Sequence, residues 1–447
     1  MSTTFEAMDS APVNRFHKRV TWLSGMGVFL EGYDFTNIAS ALVFLVPYFS
    51  LTPERTAVLA VSTHVGTIVG AICIGYLADR FGRKFMYMSD IILYAVFALV
   101  SAGSTNFWLL VVARVGLGIA IGADQALSFT IIAEFAPRKS RGRLNASTWI
   151  MWTVASATAY ILSFALNPLL HEETWRVVFA IALVPSLIVL IGRRKLPESP
   201  RWLIQQGRLE EAKAAMAETL EQADGATMNT ADLLTPSKAV PKTTWRALFA
   251  NRQQTHRTLY IVIMWFCITF NTYGVSYFTP YIFRTLGFTA NLSLLGGVIV
   301  SIFAIAGATI MFFLVDRVGR KTLAVAGFAL LAVVDLGIVA VSGQLIFPVL
   351  LTLFSLFQLF AWIGPAGLVG VVAPEVFPTS IRSFGTGIAA AAGRLGSILG
   401  ILTFPILLNR FGLQATMAVF CLDAVLATIA MIAFGTETKG VSLEEIT

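Results

Sequence analysis

Long apolar runs alternate with short polar loops along almost the whole chain. Runs long enough to cross about 30 Å of hydrocarbon as helices begin near Val20, Ala57, Phe85, Phe107, Leu144 and Arg176. After a polar stretch they resume near Leu259, Leu292, Thr322, Phe347, Ser383 and Leu413. Twelve helical spans are predicted. The first sixteen residues are polar and the first apolar run is full length, so no cleavable leader is expected.

The polar loops carry a repeat. Gly75-Tyr-Leu-Ala-Asp79-Arg80-Phe-Gly82-Arg83-Lys84 returns as Phe313-Leu-Val-Asp316-Arg317-Val-Gly319-Arg320-Lys321. Glu134-x-x-Pro137-x-x-x-Arg141 returns as Glu375-x-x-Pro378-x-x-x-Arg382. The offsets are 316 − 79 = 237 and 375 − 134 = 241. Two copies at nearly one displacement imply two parallel halves, a construction of membrane solute carriers.

Composition agrees. Of 447 residues 56% are hydrophobic and 13% charged, and the mean hydropathy is +0.76. So few charges cannot keep a chain this size in water, which makes the bilayer its solvent. The net charge of +7 is topological rather than a nucleic-acid footprint. Lys and Arg gather at Arg15–Arg19, Arg80–Lys84, Arg138–Arg143, Arg193–Lys195 and Arg317–Lys321, on every second side of the membrane. Both termini are therefore expected in the cytoplasm, in a plasma (inner) membrane.

The expected organisation is a cytoplasmic tail over 1–19, a six-helix bundle over 20–193 and a cytoplasmic linker over 194–257. A second bundle over 258–435 and a tail over 436–447 complete it. In the linker, Leu209, Ala212, Met216 and Leu220 have helical spacing, and Thr244-Trp-Arg-Ala-Leu-Phe249 reads as a surface turn. Three cysteines (Cys73, Cys267, Cys421) and four scattered histidines offer no disulfide framework or metal spacing. No catalytic constellation, ATP-binding motif or cofactor site is legible; the chain reads as a non-enzyme whose coupling ion is the proton. The glycines of Gly116-Leu-Gly118-Ile-Ala-Ile-Gly122 fall within a span, where close helix packing explains them.

The motifs together resemble the major facilitator superfamily, and within it the sugar-porter and metabolite (aromatic acid):proton symporter group. Besides the repeats they comprise Arg114-x-Gly116-x-Gly118-x-x-x-Gly122, Pro197-Glu-Ser-Pro-Arg-Trp-Leu203 and Thr436-Glu437-Thr438-Lys439-Gly440. The family usually has Pro at the position of Thr436. The resemblance implies an all-α fold of two six-helix bundles around a central substrate cavity. Sugar porters carry a Gln-Gln pair in span seven, where this chain reads Trp265-Phe-Cys-Ile-Thr-Phe-Asn271; the span-five glutamine is missing too. Glu31-Gly-Tyr-Asp34 and Gly393-Arg394-Leu-Gly396 instead look like motifs of carboxylate symporters. Trp149 to Tyr160 lacks the Gly/Pro motif of drug antiporters.

An ionised side chain at mid-bilayer needs a partner or water. Span one places Asp34 about 21 Å above the inner edge, and span four places Arg114 about 20 Å above it. The resemblance makes these helices neighbours, so Asp34 is the expected proton carrier and Arg114 its modulator, with Glu31 one turn below. A static ion pair is the rival explanation. Arg394, about 16 Å deep, suits a substrate carboxylate, with bonding to backbone carbonyls or to Glu31 as the rival role. Asn271, Tyr273, Tyr277, Gln358, Trp362, Trp149 and Trp152 are candidates to line the pocket, with packing as the plainer role of each. His64 reads as a packed residue. Asp335 and Asp423 have no assigned role.

The charged loop residues Asp79, Arg80, Arg83, Glu134 and Arg141, with Asp316, Arg317, Arg320, Glu375 and Arg382, form an expected cytoplasmic gate network. It would cross-link the halves when the inner side is closed. The function expected is import of an organic or aromatic carboxylate with protons, by alternating access, as a monomer in the lipid bilayer, without nucleic acid. A sugar or polyol symporter is the alternative, and a non-transporting nutrient sensor a more distant one.

Overall fold

A computed structural model describes residues 12–137, 141–220, 248–342, 346–377 and 381–439; the side chains of Asp79, Arg141, Asp316 and Arg382 are among the few within helices that lie outside the description. So does the linker over 221–247, including most of the Thr244–Phe249 turn. All regular structure among the described residues is helical. In chain order α1 is Arg15–Tyr48, α2 Pro53–Phe81, α3 Arg83–Ala102, α4 Phe107–Phe135 and α5 Arg141–Leu170. Next come α6 Thr174–Ile181, α7 Leu183–Arg194, α8 Pro200–Gln205, α9 Leu209–Leu220, α10 Arg252–Ser276 and α11 Thr279–Thr285. The remainder are α12 Ala290–Val318, α13 Arg320–Val341, α14 Phe347–Ile363, α15 Pro365–Val376 and α16 Arg382–Phe434.

Ten stretches of the described residues are long and apolar enough to cross a membrane. Two of them, Ser147–Arg194 and Gly385–Phe434, have 48 and 50 residues, enough to cross twice each. The first breaks at the 3₁₀ turn His171–Glu173, the second at Gly412, whose φ of 75° leaves the helical region. Ten plus two gives twelve spans. Burial separates them: the apolar window of α1 is 94% buried, whereas that of α16 is 28% buried. The exposed faces are apolar, as at Ile72, Val112, Val333, Leu426 and Ile429, which suits acyl chains rather than water.

Local chemistry sets the helix ends. Asn106, Thr289 and Asn251 cap α4, α12 and α10, each side chain accepting from the backbone N–H three residues on. Gly364-Pro365 interrupts the tenth span, since proline has no N–H to continue the ladder. Glycines let backbones touch. A Cβ on Gly66 or Gly70 of α2 would strike the α4 carbonyls of Val115 or Ile119, and one on Gly122 would strike that of Thr67.

By contact the chain forms two compact units. One comprises Met1–Asp34, Val65–Ala155 and Arg176–Ala239; the other Phe35–His64, Ser156–Trp175 and Val240–Thr447. The first holds an apolar core of Phe16, Val20, Ile74, Leu127, Ile132 and Met216, with Leu209 and Leu220 packed against it. The linker helix α9 thus docks by the face its spacing defines, and Asn14 Nδ2 donates to the Thr219 carbonyl at 2.8 Å.

Candidate functional site: a buried ion pair, an aromatic layer and two capped helix starts

Asp34 on α1 and Arg114 on α4 meet in the first unit, as their matching depths require. Arg114 donates from Nη1 to Asp34 Oδ1 at 2.6 Å and from Nη2 to Oδ2 at 2.6 Å. The guanidinium is 0% and the aspartate 2% exposed. Its Cζ sits 5.3 Å from the Phe179 ring centroid. Fork-on-fork geometry is the strongest pairing these groups have, and without it each would be an uncompensated charge in a dry interior. Arg114 Nη2 also reaches the Asp34 backbone carbonyl at 3.5 Å, so neutralising the carboxylate removes the charge partner but not every contact of the guanidinium.

Glu31, one turn below, is also buried, and Gln125 Nε2 of α4 donates to both its oxygens at 3.1 and 2.8 Å. Gln125 was not among the sequence candidates; a glutamine in a glycine-rich span carries no signal until α1 is set beside α4. At Gly32, α1 lies against α5: a Cβ there would stand 2.6 Å from the Trp152 carbonyl. Trp149 and Trp152 are both half-buried on α5.

The second unit carries an aromatic layer. His64 stacks on Phe35 at 4.3 Å and 13° between planes, with Tyr273 edge-on at 5.1 Å and Tyr277 at 5.8 Å. Tyr277 Oη donates to the Ala60 carbonyl at 3.4 Å. Asn167 of α5 donates to Asn291 of α12, and Tyr160 fills the space a Cβ on Gly297 would need. Tyr273 and Tyr277 therefore pack against His64 of α2, Tyr273 also against Phe35 of α1 and Tyr277 against Ala60 of α2. His64 is a packing residue of that layer.

The other candidates of this unit fall into separate places. Asn271 is fully buried and donates to the Phe420 carbonyl at 2.9 Å and to Asp335 Oδ2 at 3.5 Å. Asp423 and Cys267 adjoin the same group, which gives the two unassigned acids a setting. Gln358 accepts from Ser276 Oγ at 2.9 Å, and Trp362 is buried against Gly307. Arg394 is half-buried. Its register comes from its neighbours, because Cβ atoms on Gly396 and Gly400 would strike the α10 carbonyls of Phe266 and Phe270. Those glycines hold one face of α16 on α10 and leave Arg394 on another.

The repeated loop phrases build one device twice. Arg83 Nε lies 3.6 Å from Glu134 Oε1; in the other copy Arg320 Nε and Nη2 donate to Glu375 at 3.0 and 3.1 Å. Glu198 accepts from the Lys84 N–H at 3.1 Å to both oxygens, and Glu437 from Arg320 and Lys321 N–H at 2.8 and 3.1 Å. Each carboxylate thus closes a helix start, of α3 and of α13, where negative charge is favoured. Gly82 (φ 101°) and Gly319 (φ 104°) precede them, and a Cβ on either would lie 2.6 or 2.5 Å from the capping oxygen. Thr438 Oγ1 donates to Glu375 at 2.7 Å, and Ser199 bonds Glu134 in the same role. Burial raises the Glu134 carboxyl above its usual range, against Ser199 and Arg83, which lower it. Sequence reasoning missed Glu198 and Glu437 as partners, although 437 − 198 = 239 lies between the two repeat offsets. Arg80 and Arg317 are exposed; Asp79, Arg141, Asp316 and Arg382 lie outside the described side chains.

Residues 20–447 match the family described as "Sugar (and other) transporter". The chain belongs to that family of major facilitator transporters. The glucose transporter GlcP of Staphylococcus epidermidis is 31% identical, with 95% of each chain covered. The niacin transporter NiaP of Acinetobacter baylyi is 28% identical, with 98% of each covered. The partially occluded, inward-open structure of the xylose transporter XylE from Escherichia coli superposes with a TM-score of 0.79 at 23% identity, covering 96% of this chain and 100% of that one. The fold is that of a multi-pass membrane transporter, and the matched proteins are transporters rather than enzymes.

Proposed function

We propose that the protein imports a small organic solute together with protons, and that the solute is an organic or aromatic carboxylate. The observation that carries the coupling is the dry, bidentate Asp34–Arg114 pair. Protonating Asp34 cancels its charge, removes the reason for Arg114 to stay, and lets α1 and α4 shift. Losing the proton restores the attraction and resets the helices. The proton gradient and potential drive the cycle, at about 2.3 kcal/mol per charge per 100 mV. The doubled Arg–Glu devices at the helix starts are the stiff parts of the cytoplasmic gate, with both termini on that side.

The carboxylate assignment rests on Arg394, on the missing span-seven and span-five glutamines, and on likeness to a transporter named for niacin. A sugar is the second reading, favoured by the relatives named for glucose and xylose. Thermal-shift measurements of the detergent-purified protein against aromatic acids, aliphatic acids and sugars separate the two. Stabilisation by acids alone, with acid uptake that alkalinises the medium of proteoliposomes, is the expected result. Stabilisation by sugars alone overturns the substrate assignment, and uptake without proton movement overturns the coupling.

A further inference from the structure

A second group of charges lies buried in the first unit, and the coupling pair does not use it. Asp90 of α3, Asp124 of α4 and Arg193 of α7 are 3%, 5% and 1% exposed. Arg193 Nη1 stands 2.5 Å from Asp124 Oδ1 and 3.3 Å from Asp90 Oδ1. The same nitrogen donates to the Tyr87 carbonyl at 3.0 Å, and the guanidinium Cζ lies 3.4 Å from the Tyr87 ring centroid. Tyr87 Oη meets Ser24 at 2.9 Å and Ser128 at 3.1 Å, and Ser128 Oγ donates to Asp124 Oδ2 at 3.4 Å. From α1 the facing residue is Gly27, whose missing side chain leaves room for Asp124 and Arg193. Two acids thus face one base, and no other charged group faces them among the described residues.

The geometry asks for a proton. The Asp90 and Asp124 carboxyls are in contact, while Asp90 Oδ2 and, on the same group, Arg193 Nε and Nη2 find no hydrogen-bond partner among the described residues. A carboxyl–carboxyl contact is a hydrogen bond only when one oxygen carries hydrogen. With both acids ionised the group is one negative charge in excess, in a place where an unpaired charge is costly. One proton removes the excess and turns the carboxyl–carboxyl contact into a hydrogen bond.

A small cavity adjoins the group, lined by Gly27, Leu30, Asp90, Tyr94, Ile121 and Asp124. It is large enough for about one water molecule. Gly27, Leu30 and Asp34 share a face of α1 at i, i+3 and i+7, as do Arg114, Ile121 and Asp124 on α4. Seven residues of helix put the cavity about 10 Å below Asp34. Tyr94 lines the cavity, and its Oη donates to the Leu30 carbonyl of α1 at 3.5 Å.

We propose that Asp90 and Asp124, held by Arg193, form a second proton-binding site between Asp34 and the cytoplasm. The proposal rests on Asp34 being the proton carrier, and it makes this site the next stop on the inward path. When the site has discharged its proton, the shift of α1 against α4 admits a chain of waters across that distance, which takes the proton of Asp34 and gives one to the Asp90–Asp124 pair. One O–H bond breaks on Asp34, one forms on Asp90 or Asp124, and Arg114 re-pairs with the Asp34 carboxylate.

Infrared spectra of the detergent-purified protein at neutral pH test this with the proton as the only ligand. Buried acids elsewhere contribute equally to wild type and variant and cancel in the difference. The expected result is a protonated-carboxyl C=O band that is lost in Asp90→Asn and in Asp124→Asn and kept in Asp34→Asn. Asp90→Glu guards against a misfolded asparagine variant, because it keeps the proton but moves the band. An unchanged band in both asparagine variants, or an unmoved band in Asp90→Glu, overturns the site and leaves the Asp34 coupling untouched. Loss of the band with proton-driven uptake intact in Asp34→Asn means the reverse: the site stands and the coupling scheme falls.

Discussion

Arg114 grips Asp34 through both terminal nitrogens, and neither side chain reaches solvent. Removing the aspartate takes the carboxylate from a buried guanidinium, a change that costs about 3–5 kcal/mol in comparable pairs. Asp34→Asn keeps the shape and one acceptor while removing the titrating group. Proteoliposomes carrying this variant are expected to lose uphill accumulation under a proton gradient and to retain counterflow exchange. Accumulation at the wild-type ratio contradicts the assignment.

Gly319 tests the doubled cap. Its φ of 104° is hard for other residues, and a Cβ would collide with the Glu437 carboxylate. Gly319→Ala is expected to destabilise by about 1–3 kcal/mol from the backbone alone, with loss of the cap added. Gly287 is the control, since it has a φ of 92° but open space around it. Thermal melts should show a larger drop for Gly319→Ala than for Gly287→Ala. Equal drops would mean the carboxylate cap adds nothing.

Acid should loosen the same cap. Burial raises the Glu437 carboxyl, but backbone N–H groups of Arg320, Lys439, Lys321 and Thr438 outweigh it and hold the group below its usual range. An acid depressed by folding stabilises the native chain above its ordinary range, and that contribution drains away as pH falls through the lowered value. Glu437→Gln is expected to melt earlier at neutral pH and to lose less on acidification than wild type. Parallel melting curves across the pH range contradict this.

Arg394 discriminates between substrates. Arg394→Ala should weaken a carboxylate ligand by about 1.5–3 kcal/mol, on the order of 10–100-fold in Kd. Sugar binding, if present, should move far less. Calorimetric titration of the purified variant with the best acid and the best sugar measures both.

Legibility in the sequence followed the physics of each feature. The spans and the doubling were plain, because lipid demands long apolar helices and the polar phrases between them repeat. Asp34 and Arg114 were matched by depth together with the helix adjacency that the family resemblance implies. Arg193 was hidden: at the end of a span beside Arg194 and Lys195 it counts as a topology signal, and nothing in the sequence points it inward at Asp90 and Asp124. Asn271 was expected in the pocket by its place in span seven. The structure sets it against Asp335 and Phe420, because helix rotation follows close packing that polarity does not encode. Glu198 and Glu437 stood in quoted motifs, yet their partners emerge only when the turn glycines bring them over the helix starts.

The capping device occurs in both copies of the fold, whereas the buried charges of the first copy do not. Positions displaced by 237 from Asp34, Arg114, Asp90, Asp124 and Arg193 hold Asn271, Leu351, Gly327, Ala361 and Ala430. The shared part is scaffolding. The buried charges proposed to handle protons belong to one copy alone. Such a machine has a motor side and a follower side, and swapping whole halves between related carriers should carry the energy source along with the first half.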